Sequence, residues 1–224
     1  MTSPNKLPHQ SKIATLILSA VMLSAFSQSS MAQTAGHQAT PTDTANRAHA
    51  KHGHRVEGKS EWKKKTAEYK LPEVALTKTD GTQTTLAKEL ADGKPVILNF
   101  VFTSCAAICP VMSQIFSTVQ ARLGADLDDV HMVSISIDPE QDTPERLTEY
   151  AKKFAATPNW QFYTGSQKSS IAVQKAFDTY RGDKMSHLPL TFLRGAANKP
   201  WVRIEGFAKP DEIVEEVRKL MAAG

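Results

Sequence analysis

At 224 residues, with 27 basic against 23 acidic side chains, the chain has room for one domain with a real core and for segments outside it. The basic excess belongs to those segments: from Leu71 to Gly224 there are 17 basic and 19 acidic residues, so nothing in the folded part points to a nucleic-acid surface. No internal repeat is present, which sets aside a solenoid or propeller.

Residues 1–32 have the make-up of an export signal. Lys6 and Lys12 supply a positive start, Ile13 to Phe26 an apolar core, and Ser30-Met31-Ala32 a small-x-small cleavage site before Gln33. No acidic residue interrupts the segment, and no cysteine follows it that could be lipidated. The apolar core is shorter than a spanning helix needs, so cleavage is expected over an uncleaved anchor. Membrane contact is expected only through this segment, if it is retained. The remainder is expected in an oxidising compartment, a bacterial periplasm, where two thiols stay reduced only with help from a reductant or a metal.

Residues 33–65 carry Thr, Ala, Lys and His but almost no large apolar side chain, so they cannot bury a core and are expected to form a flexible tether. His37, His49, His52 and His54, with the run HAKHGH, offer a loose site for divalent copper or zinc, although a solvated linker with incidental histidines accounts for them more simply. Lys63, Lys64 and Lys65 read as a solvated charge run.

The folded domain is expected over 66–224. Val74 to Lys78, the turn Asp80-Gly81, and Gln83 to Leu86 predict a hairpin. Next comes PVILNFVFTSCAAICP, Pro95 to Pro110. Val96, Ile97, Leu98, Phe100, Val101 and Phe102 form a run too short for a membrane span and rich in β-branched and aromatic residues, which predicts a strand buried on both faces. Pro110 fits the first turn of a helix, and Val111, Met112, Ile115, Phe116, Val119 and Leu123 continue at helical spacing. Cys105 and Cys109, the only cysteines, therefore stand at a strand-to-helix junction. Unpaired N–H groups and the positive end of the helix dipole stabilise anions there, so at least one thiol should ionise more easily than a free one.

Positions four apart in a helical turn lie roughly 6 Å apart along the axis, near the upper limit of Cα separation that a disulfide closes. The pair can be oxidised, and it can also open to hold one ion between two sulfurs. A simple structural bridge is the plainer alternative, but one this local constrains little of the unfolded chain.

Val133, Ile135 and Ile137 alternate with Ser134 and Ser136 in a second core strand that ends at Asp138-Pro139. Thr143-Pro144 has N-cap and first-turn chemistry for a helix through Phe154. A short strand over Trp160 to Tyr163, a helix from Ser170 to about Tyr180, strands over Leu190 to Leu193 and Trp201 to Gly206, and a helix over Pro210 to Met221 complete the chain. His131 lies near a strand start with no partner in view and reads as structural. Alternating strands and helices, with a hairpin at either end, predict an α/β domain with a mixed sheet covered by helices on both faces.

The string FTSCAAICP, then SISIDPEQDTPERLTEYAKKF, then a histidine shortly before a final strand resembles the SCO/SenC family of thioredoxin-fold proteins. The resemblance runs from roughly Leu71 to Leu220. It implies a thioredoxin-like fold with an N-terminal β-hairpin, and a role in delivering copper to the binuclear copper centre of cytochrome c oxidase. It makes Cys105, Cys109 and His187 a copper site and places the oxidase subunit, or another periplasmic copper carrier, as the partner. Independently, two thiolates and an imidazole form a soft, low-coordinate set suited to Cu(I), and to Cu(II) when another donor completes it. Zinc would want a fourth ligand. Asp138, a poor partner for Cu(I), is expected to orient backbone or a ligand from behind, or to serve only as a strand-end cap.

Two departures from the family stand out. Ala106 follows the first cysteine where relatives usually have proline, and the turn from Arg194 to Lys199 lacks their acidic residues. His187 to Leu193 also resembles the segment of TlpA-type thiol-disulfide reductases in which a cis-proline, here Pro189, faces the cysteines. A thiol-disulfide reductase using Cys105 to attack and Cys109 to resolve is therefore the second expectation. A peroxide-reducing enzyme ranks below it, because the residues before Cys105 lack peroxiredoxin spacing, and a purely structural module leaves the thiol pair without a use.

Overall fold

The computed structural model describes residues 61–223. The expected export signal and the histidines at 37, 49, 52 and 54 lie outside the described residues. In chain order the elements are strands β1 (Lys63–Ala67), β2 (Leu76–Lys78) and β3 (Gln83–Thr84), helix α1 (Leu86–Glu89), strand β4 (Val96–Val101), helix α2 (Ile108–Leu123), strand β5 (His131–Ser136), helix α3 (Pro144–Lys153), strand β6 (Trp160–Gly165), helix α4 (Gln167–Ala176), strands β7 (Leu190–Arg194) and β8 (Trp201–Glu205), and helix α5 (Pro210–Ala222). Single 3-10 segments cover Gly124–Asp129 and Lys184–Ser186. Among the described residues no helix is long and apolar enough to cross a membrane.

All eight strands join one sheet in the order β1-β8-β7-β4-β5-β6-β2-β3. β4, β5 and β6 run parallel, and antiparallel strands flank them on both sides, which gives the expected α/β, thioredoxin-like arrangement. Alternation along β4 explains why both faces are covered. Ile97 faces one core, with Met112, Phe116 and Val119 of α2, Leu147 and Tyr150 of α3, and Ile213, Val214 and Val217 of α5. Val96 and Leu98 face the other, with Leu86, Val173, Phe177 and Phe192. Burying each large apolar side chain is worth about 1.5–3 kcal/mol, and this pays most of the ordering cost of a strand with no exposed face.

The hairpin forms as expected, with Leu76 opposite Thr84 and the turn closed by Asp80, whose side chain accepts from the Thr82 N–H at 2.9 Å. Its second strand is shorter than the sequence reading has it, because Thr85 caps α1 by accepting from the Lys88 N–H. The boundary expected at residue 65 falls inside β1: Lys63, Lys64 and Lys65 pair with Glu205, Ile204 and Arg203 of β8. An edge strand needs no apolar pattern of its own, and lysines there discourage pairing with another chain. Lys64 also meets Glu216 of α5 at 2.8 Å. α4 begins three residues earlier than expected, where Ser166 caps it, and ends before Asp178, whose φ of 53° turns the chain out of the helix.

Candidate metal centre

β4 delivers the chain into a tight loop. The Cys105 N–H donates to the Phe102 carbonyl at 3.2 Å, and α2 then starts at Ile108 rather than at Pro110, which places Cys109 inside its first turn. The residue before the helix is Ala107, which makes no side-chain cap. The free N–H groups of the first turn need an acceptor, and the Cys105 sulfur serves as one: the Cys109 N–H points at it from 3.4 Å. Burial opposes ionisation of Cys105, but donation from the backbone N–H groups of Cys109, Ala107 and Ile108 outweighs it and brings the thiol below its ordinary pKa. Cys109 behaves oppositely. It is fully buried, and burial first, then the neighbouring Cys105 and Asp142 charges, push its pKa far up despite a 3.5 Å contact from the Phe102 N–H.

The loop is pinned from below by Asp142. This buried carboxylate accepts from the Thr103 N–H at 3.1 Å, the Thr103 hydroxyl at 2.6 Å and the Ser136 hydroxyl at 2.6 Å. Charge-assisted bonds of this kind are roughly twice as strong as neutral ones. They tie the approach to Cys105 to the end of β5.

His187 arrives from a separate loop between α4 and β7. Its Nδ1 lies 2.9 Å from the Lys184 carbonyl. A carbonyl only accepts, so Nδ1 carries the proton and Nε2 presents its lone pair to the Cys109 sulfur, 3.4 Å away. Partial burial lowers the pKa of the ring, against the weaker effect of the Lys184 carbonyl, so the imidazole is neutral at pH 7. The Phe102 ring packs edge-on against it, with centroids 5.1 Å apart.

The structure thus brings together all three expected donors: the two sulfurs and Nε2 lie within 4.8 Å of one another. Donors about 2.0–2.3 Å from one shared ion stand roughly 3.5–4 Å apart in a trigonal set, so a pair at the 4.8 Å limit would have to close by about 1 Å to share it. Both cysteines are free thiols. Asp138 is not among the donors; its carboxylate accepts from the Lys184 ammonium at 2.6 Å. His131 is partnered after all, with Asp92 at 2.9 Å. The Leu188–Pro189 peptide, whose isomer the sequence leaves open, is trans. Two residues with a hold on the site carry no chemical signal in the sequence. Asp142 stands within the string SISIDPEQDTPERLTEYAKKF, yet nothing local shows it buried, and Lys184 is one lysine among many.

Comparison with known proteins places these features in company. The family model described as SCO1/SenC matches residues 63–222. A SCO1 protein homolog of Bacillus subtilis is 34% identical over 104 residues, 46% of this chain and 53% of the relative, so the chain spans about half the length of that curated relative. Among solved structures, BsSco superposes with a TM-score of 0.61 at 28% identity, over 71% of this chain and 98% of that one, and is described as having a disulfide switch and as a member of the Sco family of cytochrome c oxidase assembly proteins. Arabidopsis thaliana ScoI, solved with copper bound, gives 0.58 at 27% identity, over 69% and 99%.

Proposed function

The chain belongs to the SCO1/SenC family, and on that premise we propose that it is an exported, periplasmic copper carrier. It takes copper on Cys105, Cys109 and His187 and releases it for assembly of the binuclear copper centre of cytochrome c oxidase, to the oxidase subunit or to another periplasmic carrier. The observation that carries this reading is the convergence of two sulfurs and a bare imidazole nitrogen within 4.8 Å. Soft sulfur donors suit Cu(I), and the imidazole widens the set toward Cu(II). Three donors leave copper open on one side, so an incoming thiol or thioether can bind before the first donors let go. Copper in the ScoI relative supports the cargo, and the description of BsSco supports the destination. The export reading rests on residues 1–32.

The test is an anaerobic Cu(I) titration of the reduced protein against a competing chelator. The wild type is expected to outcompete Cys105→Ser, Cys109→Ser and His187→Ala. A wild type that binds no more tightly than Cys105→Ser or His187→Ala overturns the carrier reading.

The unequal thiols favour a second activity of the same pair, thiol-disulfide reduction. The Cys105 thiolate attacks one sulfur of a substrate disulfide, whose S–S bond breaks and whose other sulfur leaves as a thiolate. Cys109 then loses its proton and attacks Cys105, releasing the second substrate thiol and leaving a Cys105–Cys109 disulfide. Cys109→Ser should trap the mixed disulfide in cell extracts; no adduct, together with no reduction of a model disulfide, removes this reading.

A further inference from the structure

The imidazole reaches the sulfurs from a loop with little apolar anchorage. Met185 is 70% exposed and Leu188 48%, on either side of His187. What fastens this loop is polar. The Lys184 ammonium meets the Asp138 carboxylate at 2.6 Å, with the lysine side chain 38% exposed and the carboxylate 7%. No other side chain among the described residues bonds to that carboxylate. Lys184 is also the residue whose carbonyl takes the His187 Nδ1–H, at 2.9 Å, and the His187 backbone N–H, at 3.2 Å. Its ammonium lies 5.8 Å from the centre of the Phe102 ring, which packs on the imidazole. One lysine therefore grips the sheet with its side chain and orients the histidine with its main chain.

From the sheet side the same line of bonds continues to the cysteines. The Asp138 N–H donates to the Ser136 hydroxyl at 3.0 Å, which donates to Asp142, which holds Thr103. The two halves of the metal centre are joined beneath it through neighbouring residues at the end of β5.

We propose that Lys184 is a positioning residue, a latch whose ion pair with Asp138 keeps the His187 loop closed over the thiols and so decides whether the site offers three donors or two. The inference rests on the copper reading for its consequence but not for its geometry. With the latch shut, the imidazole completes a set that Cu(II) accepts. With the latch open, two sulfurs remain, which hold Cu(I) less tightly than the full set and do not hold Cu(II). A partner that supplies its own anion to Lys184, or its own cation to Asp138, would open the site as it docks. The Asp138 carboxylate favours closure, because it is costly to leave buried without a cation.

Hydrogen exchange of the metal-free, reduced protein tests the latch by itself. Lys184→Gln should speed exchange of the amides over 184–188 by about five- to tenfold, as expected for losing one partly shielded ion pair, with the rest of the protein unchanged. Lys184→Arg should restore slow exchange, and Asp138→Asn should mimic the loss. In the copper arm, Cu(II) added to Lys184→Gln should lose the nitrogen hyperfine pattern of a coordinated imidazole, while Cu(I) affinity falls by less than that of His187→Ala. Exchange over 184–188 that is the same in wild type and Lys184→Gln overturns the latch. A wild type without an imidazole signature, but with faster exchange in Lys184→Gln, overturns the copper role of His187 and leaves the latch standing.

Discussion

Cys105 stands between β4 and α2 and Cys109 in the first turn of α2, packed with Val101, Phe102 and Ile137, whereas His187 stands on a loop whose neighbours Met185 and Leu188 face solvent. The first arm is held by apolar burial and by a carboxylate with three close donor contacts. The second is held by one ion pair and two bonds to a single carbonyl. Buried packing tolerates little displacement, while half-exposed polar contacts break and re-form readily. The proposed carrier role would use both: sulfurs that do not drift apart when copper leaves, and an imidazole that can step aside.

The comparison is broken most readily at the thiols themselves. At neutral pH Cys105 should be alkylated by iodoacetamide and Cys109 should be nearly inert, an almost all-or-none difference measurable by mass spectrometry. Because backbone N–H donation holds the Cys105 thiol below its ordinary pKa, its alkylation should decline later on acidification than that of a free cysteine. Equal labelling of both residues would show that the cysteine arm is not held as described.

Next in size is Asp142→Ala. It strands the Thr103 N–H, the Thr103 hydroxyl and the Ser136 hydroxyl, and should cost about 3 kcal/mol in urea denaturation. Smallest is His187→Ala, which removes a partly buried ring from a loop and should change stability by less than about 0.5 kcal/mol while weakening copper binding. A large loss of stability there would erase the contrast between the arms.

Much of the cysteine arm was legible in the sequence because its physics is local. A run of β-branched and aromatic residues predicts a strand buried on both faces, and Val96 to Val101 is one. A proline near a helix start marks the junction to within two residues, with α2 beginning at Ile108 because Pro110 also fits the third helical position. Bringing His187 to the thiols was legible only through the resemblance to relatives, since nothing in one sequence says which distant loop folds back. The latch left no trace for the same reason: Lys184 and Asp138 are 46 residues apart. β1 escaped notice because KKKTA carries its strand character in pairing with β8 and not in any hydrophobic alternation.

That edge strand settles a practical matter. Lys63 lies opposite Glu205, which lies opposite Leu190, so the described chain enters at the same end of the sheet as the sulfurs and the imidazole. Gly206 passes so near Glu61 that a Cβ there would sit 2.9 Å from its carbonyl oxygen. α5 finishes at the other end, where Leu220 lies against Gly195. A fluorophore or an immobilising handle attached behind α5 therefore leaves the donor face clear for incoming partners, and one fused directly ahead of β1 crowds it.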